Sequence, residues 1–146
     1  KRKKNMATIV TTVADFRIGT GAKLSVGTAG EAIDAFELIY LNGTDGKVYL
    51  ADNTTAAKAT LIGIAATSAP TDGQLGYIPS NAGAYVDSAN PLWAAGKTYV
   101  VGDTAGTMMN AVDAATGDVV TVVGVAATTT ALEFIGAGGI TGITTP

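Results

Sequence analysis

The 146-residue chain contains no cysteine and no histidine. Without cysteine there is no disulfide framework and no thiolate nucleophile. Without histidine the commonest general base and the commonest transition-metal ligand are both missing. Charge is scarce: Asp, Glu, Lys and Arg make up 14% of residues, against about 25% in an ordinary globular chain. Aromatics are at 6%, so a core must be built mainly from aliphatic and small side chains. No run approaches the roughly 18 consecutive apolar residues of a membrane-spanning helix. The opening KRKKNMATIVTTVADF has a basic head but only a short apolar part, broken by Thr and Asp, and so does not read as a secretion signal.

What is present is Ala, Val, Thr and 19 glycines, with 47% hydrophobic residues overall. That mixture favours strands joined by tight turns. The length fits one domain, or two small lobes sharing a core. A surface rich in Thr and Ala but poor in charge suits a chain that packs against other chains. The formal charge of −3 is unevenly spread. Lys1, Arg2, Lys3 and Lys4 supply four of the nine basic residues. The remainder has five basic against twelve acidic residues, a balance of about −7.

One phrase occurs twice. LIGIAATSA (61–69) returns as VVGVAATTT (122–130). In the first half, FELIYL (36–41), the turn NGTDG (42–46), KVYLA (47–51) and a short connection precede it. In the second, KTYVV (97–101), the turn GDTAG (102–106), TMMNAV (107–112) and the connection DAATGD (113–118) lead into the strand-like run 119–130, and ALEFIGA (131–137) adds another. Asn-Gly and Asp-Gly tolerate positive φ and signal hairpins. Tyr40 aligns with Tyr99, Gly43 with Gly102, Gly46 with Gly106, Ala51 with Ala111 and Gly63 with Gly124, at offsets of 59 to 61. The expected fold is therefore all-β: a small barrel or sandwich built from two duplicated β units, with an extended N-terminal arm. The expected divisions are an arm over 1–30, a β-domain over 31–137 with repeats at about 36–69 and 97–130, and a Gly-rich tail over 138–146. Gly63 and Gly124, inside strand patterns, predict bulges or close backbone approaches.

Candidate chemistry is thin. Ser25, Ser68, Ser80 and Ser88 are expected in Gly-, Ala-, Pro- or Asn-rich loops, without a Ser-x-x-Lys spacing. Glu31, Asp34 and Glu37 cluster in sequence but flank a strand entry, as a solvated edge does. NGTDG and GDTAGT are too sparse in oxygen ligands for a calcium loop. GAGGITG, near the C-terminus, lacks the Lys-Ser/Thr of a phosphate loop. The expectation is no enzyme, no cofactor and no metal site. Lys1 to Lys4 read either as an arm docking on an acidic protein partner or as an incidental leader before Met6. Phosphate neutralisation on nucleic acid is opposed by the acidic body and the absence of interleaved aromatics. Phe16 and Arg17 are candidates for anchoring the arm. Trp93, in NPLWAAGK, is expected to pack in a core or interface.

Taken in order, Gly30 to Tyr40, Gly46 to Leu50, Leu61 to Ala66, Gly96 to Asp103 and Val122 to Ala127 resemble the tailed-bacteriophage capsid decoration, or head cement, proteins, with a Gly-[Ile/Val]-Ala strand in each half. The resemblance spans about two-thirds of the chain; the KRKK leader and the Gly-rich tail depart from it. It implies a non-enzymatic virion protein on the outer surface of a capsid, commonly a trimer, with the major capsid protein as partner. Lys1, Arg2, Lys3, Lys4, Ile9, Val10, Phe16 and Arg17 are the candidate capsid contacts. The alternative is a fibre or tail module binding a host-surface glycan, for which Tyr77, Tyr85 and Trp93 are the aromatic candidates.

Overall fold

A computed structural model describes residues 8–9, 16–18, 23–80, 85–135 and 143–144. The strands, in chain order, are β1 (Thr8–Ile9), β2 (Phe16–Ile18), β3 (Ser25–Thr28), β4 (Leu38–Leu41), β5 (Val48–Leu50), β6 (Leu61–Ala65), β7 (Gln74–Pro79), β8 (Tyr85–Ser88), β9 (Thr98–Val101), β10 (Met108–Asn110), β11 (Val119–Val120), β12 (Val122–Thr128), β13 (Ala131–Phe134) and β14 (Ile143–Thr144). One helical turn, α1 (Ala56–Ala59), begins where the Thr55 hydroxyl accepts the Lys58 N–H. The corresponding connection in the second half holds a 3-10 turn, Ala111–Asp113.

The protein is an all-β sandwich of two antiparallel sheets. The first has the order β3-β7-β6-β4-β5. The second has β8-β13-β12-β9-β10 at its centre, with β1 outside β10 and β2 outside β8. The two orders are the same: β3, β7, β6, β4 and β5 correspond to β8, β13, β12, β9 and β10. Backbone hydrogen bonds repeat with them. Phe36 N–H donates to Ala65 O and Gly96 N–H to Ala126 O, both at 2.7 Å. Ile33 N–H donates to Ala69 O as Trp93 N–H does to Thr129 O. Ser80 N–H donates to Ile62 O as Ile135 N–H does to Val123 O.

Register corrects two of the five sequence matches. Ile39 lies opposite Gly63 and Leu50, whereas Tyr99 lies opposite Gly124 and Asn110. Tyr99 is therefore the counterpart of Ile39, and Tyr40 that of Val100. By the same 60-residue step, Gly102 corresponds to Asn42, not Gly43, and each of these N–H groups donates across its turn, to Thr107 O and Lys47 O. Matching Tyr to Tyr shifted the alignment by one residue, which in a strand reverses the face. The predicted arm also ends earlier than residue 30. Ser25–Thr28 pairs with β7 in unbroken register, and Ala29 is fully buried. Ser25 and Ser88 lie in strands rather than loops.

The repeated glycines occupy the central strands. Beside Gly63 and beside Gly124 the pairing with β4 and β9 slips by one residue. A Cβ on Gly63 would press into the carbonyl oxygen of Ile78, and one on Gly124 into that of Glu133. These carbonyls are counterparts on β7 and β13. Only glycine lets the two backbones come this close.

The main core fills the space between the sheets. Leu38, Tyr40, Ile64 and Ile78 of the first sheet meet Tyr99, Val101, Val123, Leu132 and Phe134 of the second. Phe36 and Trp93 join it edge-on, with ring centroids 6.3 Å apart. A second cluster lies behind the first sheet, where Ile39, Val48, Ala65 and Leu75 pack with Ala29, Ile33 and Ala69. Successive β4 residues thus enter different cores, which explains an apolar run without alternation. The first sheet curls: Ala29, just beyond β3, bridges Val48 on the opposite edge strand, and Gly30 N–H donates to Val48 O at 2.8 Å. The halves are also sewn together by backbone. Leu38 N–H donates to Gly106 O, Gly106 N–H to Ala51 O, Asn53 N–H to Gly102 O and Val119 N–H to Asn53 O.

Gly63→Ala and Gly124→Ala are each expected to destabilise the fold by about 2 kcal/mol or more, because a strand must move to admit the methyl group. Gly43→Ala, with open space around its Cβ position, should stay within about 0.5 kcal/mol of the parent. Urea unfolding midpoints of the three variants check this.

Candidate functional site

Carboxylates are the first groups to place. Glu31, Asp34 and Glu37 lie on the segment entering β4. Glu31 Oε2 accepts the Leu50 N–H at 2.9 Å, which ties the entry segment to β5. Glu37 Oε1 accepts the Asp34 N–H at 2.8 Å and closes the turn in which Glu37 N–H also donates to Asp34 O. Asp34 is exposed. Burial holds the Glu37 carboxyl above the ordinary range; the Asp34 N–H works against this, and the charges of Asp34 and Glu31 reinforce it. The depression beside them is open and lined by Ala32, Ile33, Asp34, Ser68, Ala69 and Pro70. The Ser68 hydroxyl there accepts the Ala35 N–H at 3.0 Å. Two of these carboxylates and the serine thus brace backbone.

The first hairpin turn behaves likewise. Asn42 Oδ1 accepts the Thr44 N–H and Asp45 Oδ1 the Lys47 N–H, as expected of Asx turns. The Tyr49 hydroxyl donates to Asp45 Oδ2 at 2.6 Å, and Lys47 pairs with Asp72 at 2.5 Å. The Asp45 carboxylate pushes the Tyr49 hydroxyl up to about 12, while the same hydrogen bond, first among its causes, lowers Asp45. Asp72 raises Lys47. Asp45 is exposed and Lys47 and Tyr49 are half-buried, but both pairs meet at the surface, so these shifts describe local pairing in solvent. Among the described residues no group of three or more His, Cys, Asp or Glu is placed to hold a metal ion.

The candidate capsid contacts divide in two. Lys1, Arg2, Lys3, Lys4 and Val10 lie outside the described residues. Ile9 sits on β1 opposite Met108 of β10. Phe16 and Arg17 sit on β2 opposite Ser88 and Asp87 of β8. The candidate contacts that are described therefore lie on strands that extend both edges of the second sheet. Residues 143–144, within the predicted tail, pair with β11.

The aromatic candidates differ in exposure. Trp93 is buried, and its indole N–H points to the Met108 sulfur at 3.3 Å. Tyr77 is half-buried on β7, and Tyr85 is exposed on β8. Sequence reasoning left β3, β7 and β8 unassigned. For β3 a signal was available: Leu24, Val26 and Thr28 alternate with Ser25 and Gly27, and the first three are exposed.

Because its folded-state pKa lies above the unfolded value, Glu37 favours the folded chain most at low pH, and that contribution is lost as pH rises through the raised value. Glu37→Gln keeps the acceptor for Asp34 N–H and removes the titration. The variant should gain stability relative to the parent between about pH 4 and pH 7, with the gain present at the upper end and absent at the lower. Urea midpoints across that range read it directly.

No protein-family model matches this chain, and no curated protein matches it in sequence.

Proposed function

We propose that this chain is a structural virion protein, a capsid decoration protein that binds the outside of a phage head and stabilises contacts between capsomers. The observation that carries the reading is the doubled sheet with a Gly-[Ile/Val]-Ala segment on the central strand of each half. These segments are Gly63-Ile64-Ala65 and Gly124-Val125-Ala126. They are among the residues on which the resemblance to decoration proteins rests.

Two further features support it. The surface is poor in charge and exposes Leu24, Val26, Leu41, Val112 and Ile135, which suits a chain covered by neighbours. The basic run Lys1–Lys4 precedes a body of opposite sign, so one end of the chain can be steered to an acidic shell. Around a closed shell each contact need contribute only modestly, because many act together.

Purified protein mixed with decoration-stripped heads should cosediment at a saturable, fixed copy number. Binding should weaken with salt. Replacing Lys1, Arg2, Lys3 and Lys4 with Gln should weaken it about tenfold, or ~1.4 kcal/mol, with the thermal transition of the body unchanged. Absence of saturable binding to heads overturns the proposal.

A further inference from the structure

Asn42-Gly43 is the one Asn-Gly pair in the chain. It opens the turn between β4 and β5, where residues 43–46 are all exposed. Most of Asn42 is held. Its N–H donates to Lys47 O and its carbonyl accepts the Gly46 N–H, both at 2.9 Å. Its side-chain Oδ1 accepts the Thr44 N–H at 2.8 Å. The Gly43 N–H, in the middle of these contacts, donates to no described residue. No atom beyond its chain neighbours stands within 4 Å of a Cβ placed on Gly43. A held side-chain amide is thus followed by a free backbone amide that solvent base can reach.

We infer that Asn42 is a site of spontaneous deamidation, with the Gly43 backbone nitrogen as nucleophile and water as co-reactant. Gly43 N gives its proton to solvent base and attacks Cγ of Asn42. The new C–N bond closes a succinimide ring. The bond from Cγ to Nδ2 breaks, and the nitrogen takes a proton back and leaves as ammonia. Water then opens the ring. Cleavage at Cγ leaves aspartate, and cleavage at the main-chain carbonyl leaves isoaspartate. Negative charge collects on Oδ1 during the attack. The Thr44 N–H already faces that oxygen and stabilises the charge as an oxyanion-hole donor does. Glycine at 43 leaves the nucleophile uncrowded and its backbone free to turn toward Cγ.

The other described asparagines lack this combination. Asn53 is buried, and the N–H that follows it, on Thr54, donates to Asp52 Oδ1 at 3.0 Å. Asn90 precedes Pro91, which has no N–H. Asn110 precedes Ala111, whose methyl group crowds the attacking nitrogen. At Asn42 the products change the turn. Aspartate adds a negative charge beside Asp45. Isoaspartate inserts a methylene into the main chain and turns the carbonyl that accepts the Gly46 N–H into a free carboxylate.

The inference does not depend on capsid binding and is tested on the whole folded chain. Incubated at mildly alkaline pH, the protein should gain about 1 Da and one negative charge, read by intact mass and anion exchange. Peptide mapping should place the change at Asn42, and a protein isoaspartyl methyltransferase should methylate part of the product. The rate should rise with pH, because Gly43 N must lose its proton. Gly43→Ala should slow conversion by about tenfold or more, since the attack depends on close approach, while its urea midpoint stays near the parent's. No conversion at Asn42 under conditions that convert a free peptide spanning residues 40–45 overturns the inference. So does equal conversion at Asn53 or Asn110, or a Gly43→Ala variant that converts as fast as the parent.

Discussion

The whole architecture depends on two places where backbone touches backbone with no room for a side chain. At Gly63 and at Gly124 the central strand of a sheet lies directly against the carbonyl of its neighbour, Ile78 in one half and Glu133 in the other. The register slips beside both contacts, so the central strand can bend while its neighbours continue. The bend lets the apolar faces of the two sheets enclose one core. The repeated phrase around these glycines is therefore a geometric requirement that each half meets separately.

Around this shared frame the halves have diverged in what they bury. Phe36 and Gly96 hold the same backbone position, at φ of 82° and 81°. For an L side chain that conformation costs about 1–2 kcal/mol. Phe36 nevertheless is fully buried, against Trp93, and burying such a ring contributes about 1.5–3 kcal/mol. Removal of the ring from water thus offsets the backbone cost. Trp93 in turn stands where the first half has Ile33, which faces the second cluster behind its own sheet. One half supplies the smaller residue where the other supplies the larger one, and the larger ones, Phe36 and Trp93, meet at the boundary.

The strands β4, β5, β6, β9, β12 and β13 were legible because each carries branched or aromatic residues between turn signals, and β10, MMN, because it follows the GDTAG turn. β3, β7 and β8 were not. SVGT, QLGYIP and YVDS are short and interrupted by Gly, Ser, Pro or Asp, and their strand state comes from neighbours rather than from their own propensity. The turn chemistry of NGTDG was fully local and so was readable; Asn42 and Asp45 hold backbone amides two residues on. The roles of Glu31 and Ser68 were hidden because their partners, Leu50 and Ala35, are distant in sequence. For the candidate contacts Phe16 and Arg17 the strand they join could not be read, since pairing partners along an extended segment have no one-residue signature.

Trp93 is the only tryptophan in the chain, and it lies where the halves meet. Its ring packs against Phe36 from the first half, and its N–H faces the sulfur of Met108 in the second. A single buried indole therefore sits at the boundary between the duplicated units. Its emission is a local gauge of their docking, separable from the strand content that circular dichroism records. A state in which the sheets persist but come apart would show itself as a red-shifted indole above an unchanged β spectrum.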